Sequence, residues 1–290
     1  MDIAEEQQAQ VYKSNALVEA SYRLSVAEQR IVLACNAQVR HDQQITDELL
    51  YSITATEFAN LSGTSSKQAY RELEQAAMRL SRREVWLVER PNGNGAHEET
   101  LVTRWVQSVR YVRKSGCIRL RFSRDMLPYL SQLTEQFTRY ALGDVARMTS
   151  AHAIRLYELL AQWREKGSRE VEIDWFRKAL QIEDRYPAIK DLKKRVLEPA
   201  IEQINTYSPL RVRWSQRKTG RRVTHLIFDF QFHEDAAPKP KRLAQRRYDS
   251  GELIGGVPRE ANERHARIGE SYAQAASRLR QARDNGTLSW

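Results

Sequence analysis

The sequence predicts an α+β fold in two tandem units, each a set of helices closed by a β-hairpin, with a basic extension after the second. Three observations carry this prediction. Ten Lys or Arg against three acids fall in residues 188–222, across one helical run and the hairpin that follows it. The order of helix-period and strand-period segments in residues 149–232 is already present in residues 24–122. A chain of 290 residues with 41% hydrophobic side chains can also fill about two ordinary cores.

The first unit opens on a helix. Ser25 and Glu28 have the spacing of a capping box, and Leu24, Ala27, Ile31, Ala34 and Cys35 follow as its apolar stripe. Residues 51–53 read as a short strand. Thr54 with Glu57 is a second capping box, and the helix it starts carries Phe58 and Leu61 and stops near Gly63. Ser65 with Gln68 then caps a helix that turns Ala69, Leu73, Ala76 and Leu80 inward. Residues 85–88 are strand-like, residues 91–95 form a turn, and a long hairpin is expected from about Leu101 to Phe122. A long strand pair with an exposed edge is a usual place for self-pairing, so this unit is expected to dimerise the protein.

The second unit repeats the plan with more charge. A long helix is expected over residues 149–165, with Ile154, Tyr157, Leu160 and Ala161 as its stripe. Residues 171–173 suit a short strand, and Asp174 stands where a cap is needed for a helix carrying Trp175, Phe176, Ala179 and Leu180. A connection with Tyr186 and Pro187 leads to a helix over residues 188–205. There Ile189, Leu192 and Val196 form the buried stripe, so Lys190 and Lys194 point away from the core, flanked by Lys193 and Arg195. Pro199 should bend or break this helix, because it removes a backbone donor and crowds the preceding turn. Leu210, Val212 and Trp214 alternate with Arg211, Arg213 and Ser215, a basic turn follows at residues 218–222, and Leu226, Phe228, Phe230 and Phe232 return antiparallel. This is the element order of a winged helix-turn-helix, in which the second helix of the pair enters the major groove and the hairpin tip rests on the neighbouring backbone.

Charge follows the same division. The net charge of +10 is made up of +1 in residues 1–150, +4 in 151–235 and +5 in the remainder, so phosphate contacts are expected mainly in the second half. In the first unit Glu72 and Glu74 offset Arg71, and Lys67 stands alone near its helix start, so that helix suits backbone contacts better than base reading. No apolar run approaches the roughly 20 residues needed to span a bilayer and the N-terminus is acidic, so no membrane partner and a cytoplasmic location are expected. Cys35 and Cys117 both fall in apolar patterns and read as single buried residues.

Longer stretches resemble a known family. Residues 149–160 (Thr-Ser-Ala-His-Ala-Ile-Arg-Leu-Tyr-Glu-Leu-Leu) and residues 192–201 (Leu-Lys-Lys-Arg-Val-Leu-Glu-Pro-Ala-Ile), with Gln203, Ile204 and Asn205, resemble the plasmid replication initiators of the RepA/RepE type. So do residues 122–130, residues 137–140 and residues 218–228. The resemblance implies two winged-helix domains that bind origin direct repeats (iterons) as a monomer, help open the origin and recruit the host initiator and replicative helicase. It also implies a homodimer, in equilibrium with the monomer, that binds an inverted-repeat operator and represses its own gene. Carried over by position, Lys190, Lys193, Lys194 and Arg195 lie on the main reading helix, Arg217, Lys218, Arg221 and Arg222 form its wing, and Lys67 and Arg71 are backbone contacts of the first domain. The domains implied are residues 1–148, residues 149–235 and a basic segment, 236–290. That segment departs from the family pattern and reads as a partly disordered linker around Pro238 to Arg242 with a possible helix over residues 259–282.

An enzyme is not expected. The chain has no Gly-x-x-x-x-Gly-Lys-Ser/Thr loop, its six histidines are scattered singly, and no His-x-His pair stands ready to hold a metal beside a tyrosine, so no catalytic residue, cofactor or metal is assigned. His152 and His225 read as structural or surface residues. The competing reading is a dimeric winged-helix repressor without an initiation role, which would bind inverted repeats alone.

Overall fold

Local signals start the helices of the first domain. Strand β1 (Gln10–Ser14) leads into α1 (Asn15–Glu19), where Ser14 Oγ accepts from the Leu17 amide at 3.1 Å. At α2 (Val26–Asn36) the capping box closes as expected, with the Ser25 amide donating to Glu28 Oε2 at 2.6 Å and the Glu28 amide returning to Ser25 Oγ at 3.3 Å. The second box closes between Thr54 and Glu57 at the junction of β2 (Tyr51–Thr54) and α3 (Ala55–Ser62), and Gly63 ends α3 at φ +70°, a conformation that costs glycine nothing. The box expected at Ser65 does not form. Ser65 precedes α4 (Ser66–Leu80) without a side-chain capping bond, and the helix is held by the burial of Ala69, Leu73, Ala76, Ala77 and Leu80. The computed structural model describes residues 9–40, 42, 44–89, 96–112, 115–233, 253–254, 257–258 and 272–284.

The strands of this domain divide differently from the single long hairpin expected between Leu101 and Phe122. β3 (Glu84–Glu89) pairs antiparallel with β4 (Ala96–Arg104) as a two-stranded wing, Trp86 opposite Val102. β5 (Val106–Val112) and β6 (Cys117–Phe122) form a second hairpin that joins β2 in a sheet of order β2-β6-β5. Trp105 is the reason for the break. Its side chain is fully buried and meets Tyr22 edge to face at 4.9 Å between centroids, so the chain turns inward at that residue and leaves the wing. A 3-10 turn (Arg124–Tyr129) leads to β7 (Phe137–Ala141), which pairs with β1, and the short helix α5 (Gly143–Ala146) ends the domain.

The second domain begins at α6 (Ala151–Ala161), shorter than the expected 149–165 and capped by Ser150 Oγ. β8 (Ser168–Glu172) follows, then α7 (Ile173–Ala179). Asp174 does not cap α7: it lies one residue inside, the cap position is Glu172, and no side chain closes it. A continuous helix α8 comprises Ile189–Leu192, a π turn at Lys193–Leu197 and Glu198–Tyr207. β9 (Leu210–Thr219) and β10 (Arg222–Phe232) complete a sheet of order β8-β10-β9. Their connection is tighter than the basic turn expected over 218–222. Thr219 pairs with Arg222, and only Gly220, at φ +61°, and Arg221 form the loop. Glycine in the first loop position is what a two-residue hairpin of II′ type requires.

The two domains share one core, and α6 lies in it. Along with Ile154, Tyr157, Leu160 and Ala161, this helix buries Leu156, Leu159 and two charged residues, Arg155 and Glu158, each 2% exposed or less. Glu158 Oε1 accepts from Lys13 Nζ and from Tyr140 Oη, both at 2.5 Å. Its Oε2 accepts from Arg155 Nη1 at 3.0 Å and from Tyr22 Oη at 3.1 Å. Arg155 Nη2 donates to the carbonyl of Ala20, and its guanidinium lies 3.8 Å from the centre of the Tyr22 ring. Further ties between the domains join Glu19 to Arg169 at 2.6 Å and Gln29 to the carbonyl of Ala151, while Arg30 holds the carbonyls of Ala146 and Met148 at the end of the first. A separate unit spans Lys239–Trp290. Within it Leu253–Ile254 pairs with Val257–Pro258, and a helix at Tyr272–Asp284 buries Ala276 and Leu279. The basic run from Pro238 to Arg242 and most of the helix expected over 259–282 lie outside the described residues.

Burial alone would push the Glu158 carboxyl upward, but Lys13 and Arg155 outweigh it and hold the group at about 2, below its ordinary 4.5. Its ionised form therefore stabilises the fold fully above about pH 4.5, and that contribution is lost as pH falls through 2. Glu158→Gln strands two buried cations and should cost about 3–5 kcal/mol at pH 7. Urea titrations of both proteins at pH 7, 4 and 2.5 should show this gap narrowing with acid. A gap below about 1 kcal/mol at pH 7 would mean that the buried carboxylate is dispensable.

Candidate nucleic-acid interface

The exposed basic face of the second domain is set by a proline. Pro199 has no N–H to give the carbonyl of Arg195, and its ring would crowd that carbonyl in a regular α-helix. The helix does not break at Pro199, one of the two outcomes the sequence suggested. It widens instead, the Glu198 amide donating back to the carbonyl of Lys193, five residues earlier. A π turn holds one residue more than an α turn, so the residues before it are rotated by roughly 100° relative to a uniform helix drawn back from Tyr207. Leu192, Val196 and Leu197 all face the core as a result.

Lys190, Lys194 and Arg195 are exposed, as the stripe predicts. Arg195 has only a loose partner one turn back, Asp191 at 3.9 Å, and both ends of that pair are in water. Lys193 differs. It is half-buried with its ammonium 5.4 Å from the centre of the Trp214 ring on β9, so its charge is seated between α8 and the β9–β10 wing. On the wing Arg217, Lys218, Arg221 and Arg222 are all exposed, but they are not equivalent. Arg217 pairs with Glu170 at 2.6 Å and Arg222 with Asp174 at 3.5 Å, while Lys218 and Arg221 meet no carboxylate among the described residues.

The turn between α7 and α8 depends on Arg177, a residue the sequence reading passed over. Its Nη1 donates to the carbonyl of Arg185 at 2.9 Å, and its Nη2 donates to those of Tyr186 at 2.7 Å and Pro187 at 3.3 Å. Tyr186 has φ +53° and Gln181 +50°, unusual for residues with a Cβ, so this turn is held in a conformation it would not choose alone. One guanidinium thus satisfies three carbonyls at the entry to α8. No periodicity marks such a residue, because its partners are loop carbonyls.

The first domain offers a different face. On α4 Arg71 is exposed together with Gln68, Gln75 and Met78, and Lys67 lies in the first turn of the same helix. The cations of this helix are fewer and further apart than those of α8. On the wing of this domain Trp86, Val88 and Val102 are 44–46% exposed. Among the described residues no cluster of His, Cys, Asp and Glu could hold a metal ion, and no helix is long and apolar enough to cross a membrane. His225 bonds to Thr224, and burial, with Arg23 and Arg185 nearby, lowers the His152 pKa.

Comparison with known proteins converges on one family. A family model described as initiator replication protein, WH1, matches residues 10–161, and one described as initiator Rep protein, WH2, matches residues 172–230. An Escherichia coli protein named only as an uncharacterized 27.6 kDa protein is 26% identical over 237 residues, covering 78% of this chain and 98% of that protein. An Escherichia coli replication initiation protein is 28% identical over 228 residues, covering 76% and 69%. Among solved structures, the Pi initiator protein in complex with iteron DNA superposes with a TM-score of 0.65 at 21% identity, over 79% of this chain and 99% of that one.

The Arg177 clamp makes a measurable claim. Replacing Arg177 with Ala leaves three carbonyls to water and should lower the unfolding free energy by about 1.5–3 kcal/mol. Amide exchange across residues 181–188 should speed up before that of α6. A loss below about 0.5 kcal/mol with unchanged exchange would show that the turn holds itself.

Proposed function

The chain belongs to the initiator replication protein family, and from that premise we propose that it starts plasmid replication by binding direct repeats at its origin. The observation that carries this reading is the constellation on the second domain. Lys190, Lys194 and Arg195 stand exposed on one helix beside a wing tipped by Lys218 and Arg221, and a second winged helix is fixed to the first through a buried ionic core. One polypeptide then offers two reading units in a constant relation, which suits an asymmetric repeat spanning adjacent major grooves, about 34 Å apart. That the solved Pi initiator is bound to iteron DNA supports the same reading.

In this reading the first turns of α8 enter the major groove. Arg195 and Lys190 read base edges, Lys194 takes phosphate, and Lys193 adds its charge from its seat on Trp214. Lys218 and Arg221 take backbone phosphates. Arg217 and Arg222 join them by exchanging Glu170 and Asp174 for phosphate, a small sacrifice because exposed ion pairs are worth about 0–1 kcal/mol. Lys67 and Arg71 make backbone contacts from the first domain. The exposed apolar side of the first wing, with Trp86, Val88 and Val102, and the free edge of β5 are the surfaces we assign to a homodimer that binds an inverted repeat and represses its own gene. Monomers on the iterons open the origin and recruit the host initiator and helicase.

Reading helix and wing predict different losses. Arg195→Ala should cost about 1–3 kcal/mol on the cognate site and relax preference at one position. Lys218→Ala should weaken cognate and random duplexes alike and lower the salt slope by about one. Equal losses on both duplexes for both variants would erase the distinction. Footprinting on the DNA flanking the gene should protect tandem direct repeats, whereas protection of a lone palindrome would leave only a repressor.

A further inference from the structure

Where the domains join, helices from both of them grip one peptide bond. The connection runs from the end of α5 at Ala146 to the start of α6 at Ala151. From the first domain, the buried Arg30 on α2 donates through Nη2 to the carbonyl of Met148 at 3.3 Å, and through Nε and Nη2 to that of Ala146. From the second, Gln203 on α8 reaches the same place, its Oε1 accepting from the amides of Thr149 at 2.8 Å and Ser150 at 3.0 Å. The Met148 carbonyl and the Thr149 amide belong to a single peptide unit. Arg30 holds its oxygen, and Gln203 holds its nitrogen.

The consequence of this grip is rotational. A trans peptide is a rigid plane, so the joint between two domains can turn only about the soft dihedrals on either side of it, and holding both ends of the plane restrains them. An amide oxygen suits the task because its two lone pairs take two N–H groups, which the amide nitrogen of the same side chain cannot do. The grip also reaches α6, since Ser150, one of the two donors to Gln203, caps that helix through its Oγ.

Gln203 is part of the triplet Gln203-Ile204-Asn205, whose side chains leave the helix about 100° apart and serve three different neighbours. Ile204 is fully buried in the core. Asn205 exchanges two hydrogen bonds with the backbone of Val212 on β9, at 2.7 and 3.0 Å. The helix that presents Lys190 to Arg195 is therefore fastened near its far end twice, to the wing by Asn205 and to the boundary between the domains by Gln203.

We propose that Gln203 is a positioning residue for DNA recognition: it acts through the boundary peptide and sets the spacing between the two reading units. That role rests on the proposed binding of one repeat by both domains. Asn205 keeps helix and wing together within the second unit, whereas Gln203 fixes that unit against the first.

Three duplexes built on one footprinted repeat test this with the full-length protein: the repeat, the repeat with one base pair inserted between the segments that the two domains protect, and the second domain's segment alone. Wild-type protein should bind the inserted duplex more weakly than the repeat. Gln203→Met keeps a long side chain but removes the acceptor, so the penalty for insertion should shrink by about three- to tenfold while affinity for the single segment stays unchanged. Gln203→Ala, a change that favours the helix, should behave in the same way. Gln203→Glu keeps an acceptor for both amides and should restore the penalty, because its added charge weakens all three duplexes alike and leaves their ratio intact. A full penalty in Gln203→Met and Gln203→Ala, a penalty lost equally in Gln203→Glu, or a loss on the single segment as large as on the repeat overturns the proposal. A wild-type protein indifferent to the insertion overturns the two-groove reading with it, so the two failures are distinct.

Discussion

The carboxylate of Glu158 is the constraint on which the arrangement of the two domains depends. It belongs to α6, the first helix of the second domain, yet three of its four donors come from the first: Lys13 on β1, Tyr22 before α2 and Tyr140 on β7. An ionised side chain so deeply buried is tolerable only when its lone pairs are filled and its charge is matched, and here both conditions are met by residues far apart in sequence. The energetic consequence is asymmetric. Completing the network adds little over a well-packed apolar substitute, whereas losing any member leaves a charge or a hydroxyl stranded. Such a network specifies one relation between the domains more than it stabilises either.

Inside the second domain the exposed basic face of α8 is oriented by three lesser devices. Pro199 imposes the π turn that rotates Lys190 to Arg195 relative to the packing residues Ile201 and Ile204. Lys193 over Trp214 ties the helix to the wing, and Arg177 fixes the turn that enters the helix. Each is small, on the order of 1–3 kcal/mol. Acting at the entry, the middle and one side of the same helix, they determine its orientation more than the stability of the domain.

What the sequence revealed and what it concealed divide along contact range. The capping boxes at Ser25 and Thr54, the stop at Gly63 and the exposure of Lys190, Lys194 and Arg195 are legible because their causes lie within four residues. The box expected at Ser65, equally local in pattern, does not close, and the helix stands on the burial of Leu73 and its neighbours instead. Arg155 and Glu158 were hidden within a helical stripe drawn through Ile154 and Tyr157, since nothing in their spacing announces Lys13 or Tyr140. Trp105 cut one apparent hairpin into parts of two sheets for a tertiary reason as well. The family resemblance supplied the plan of the two domains, but only coordinates separate Lys193 from its exposed neighbours.

Ser21 joins these observations. Its backbone exchanges two 3.0 Å hydrogen bonds with Trp86, the residue whose ring stands exposed on the first wing. Its hydroxyl donates to the carbonyl of Lys178 at 2.6 Å, and its carbonyl also accepts from Gln181 at 3.4 Å, at the start of the turn that Arg177 clamps. One residue therefore touches both the first wing and the approach to α8 of the second domain. Contiguity by itself does not couple two surfaces; coupling requires an element with two arrangements that both surfaces bias. The turn at Gln181 and Tyr186 has positive φ values at both residues, and Arg177 and the contact of Ser21 with Gln181 hold it. Any displacement of β3 away from Ser21 has to break the paired bonds with Trp86, and Ser21 is the same residue that holds the carbonyl of Lys178 and the side chain of Gln181.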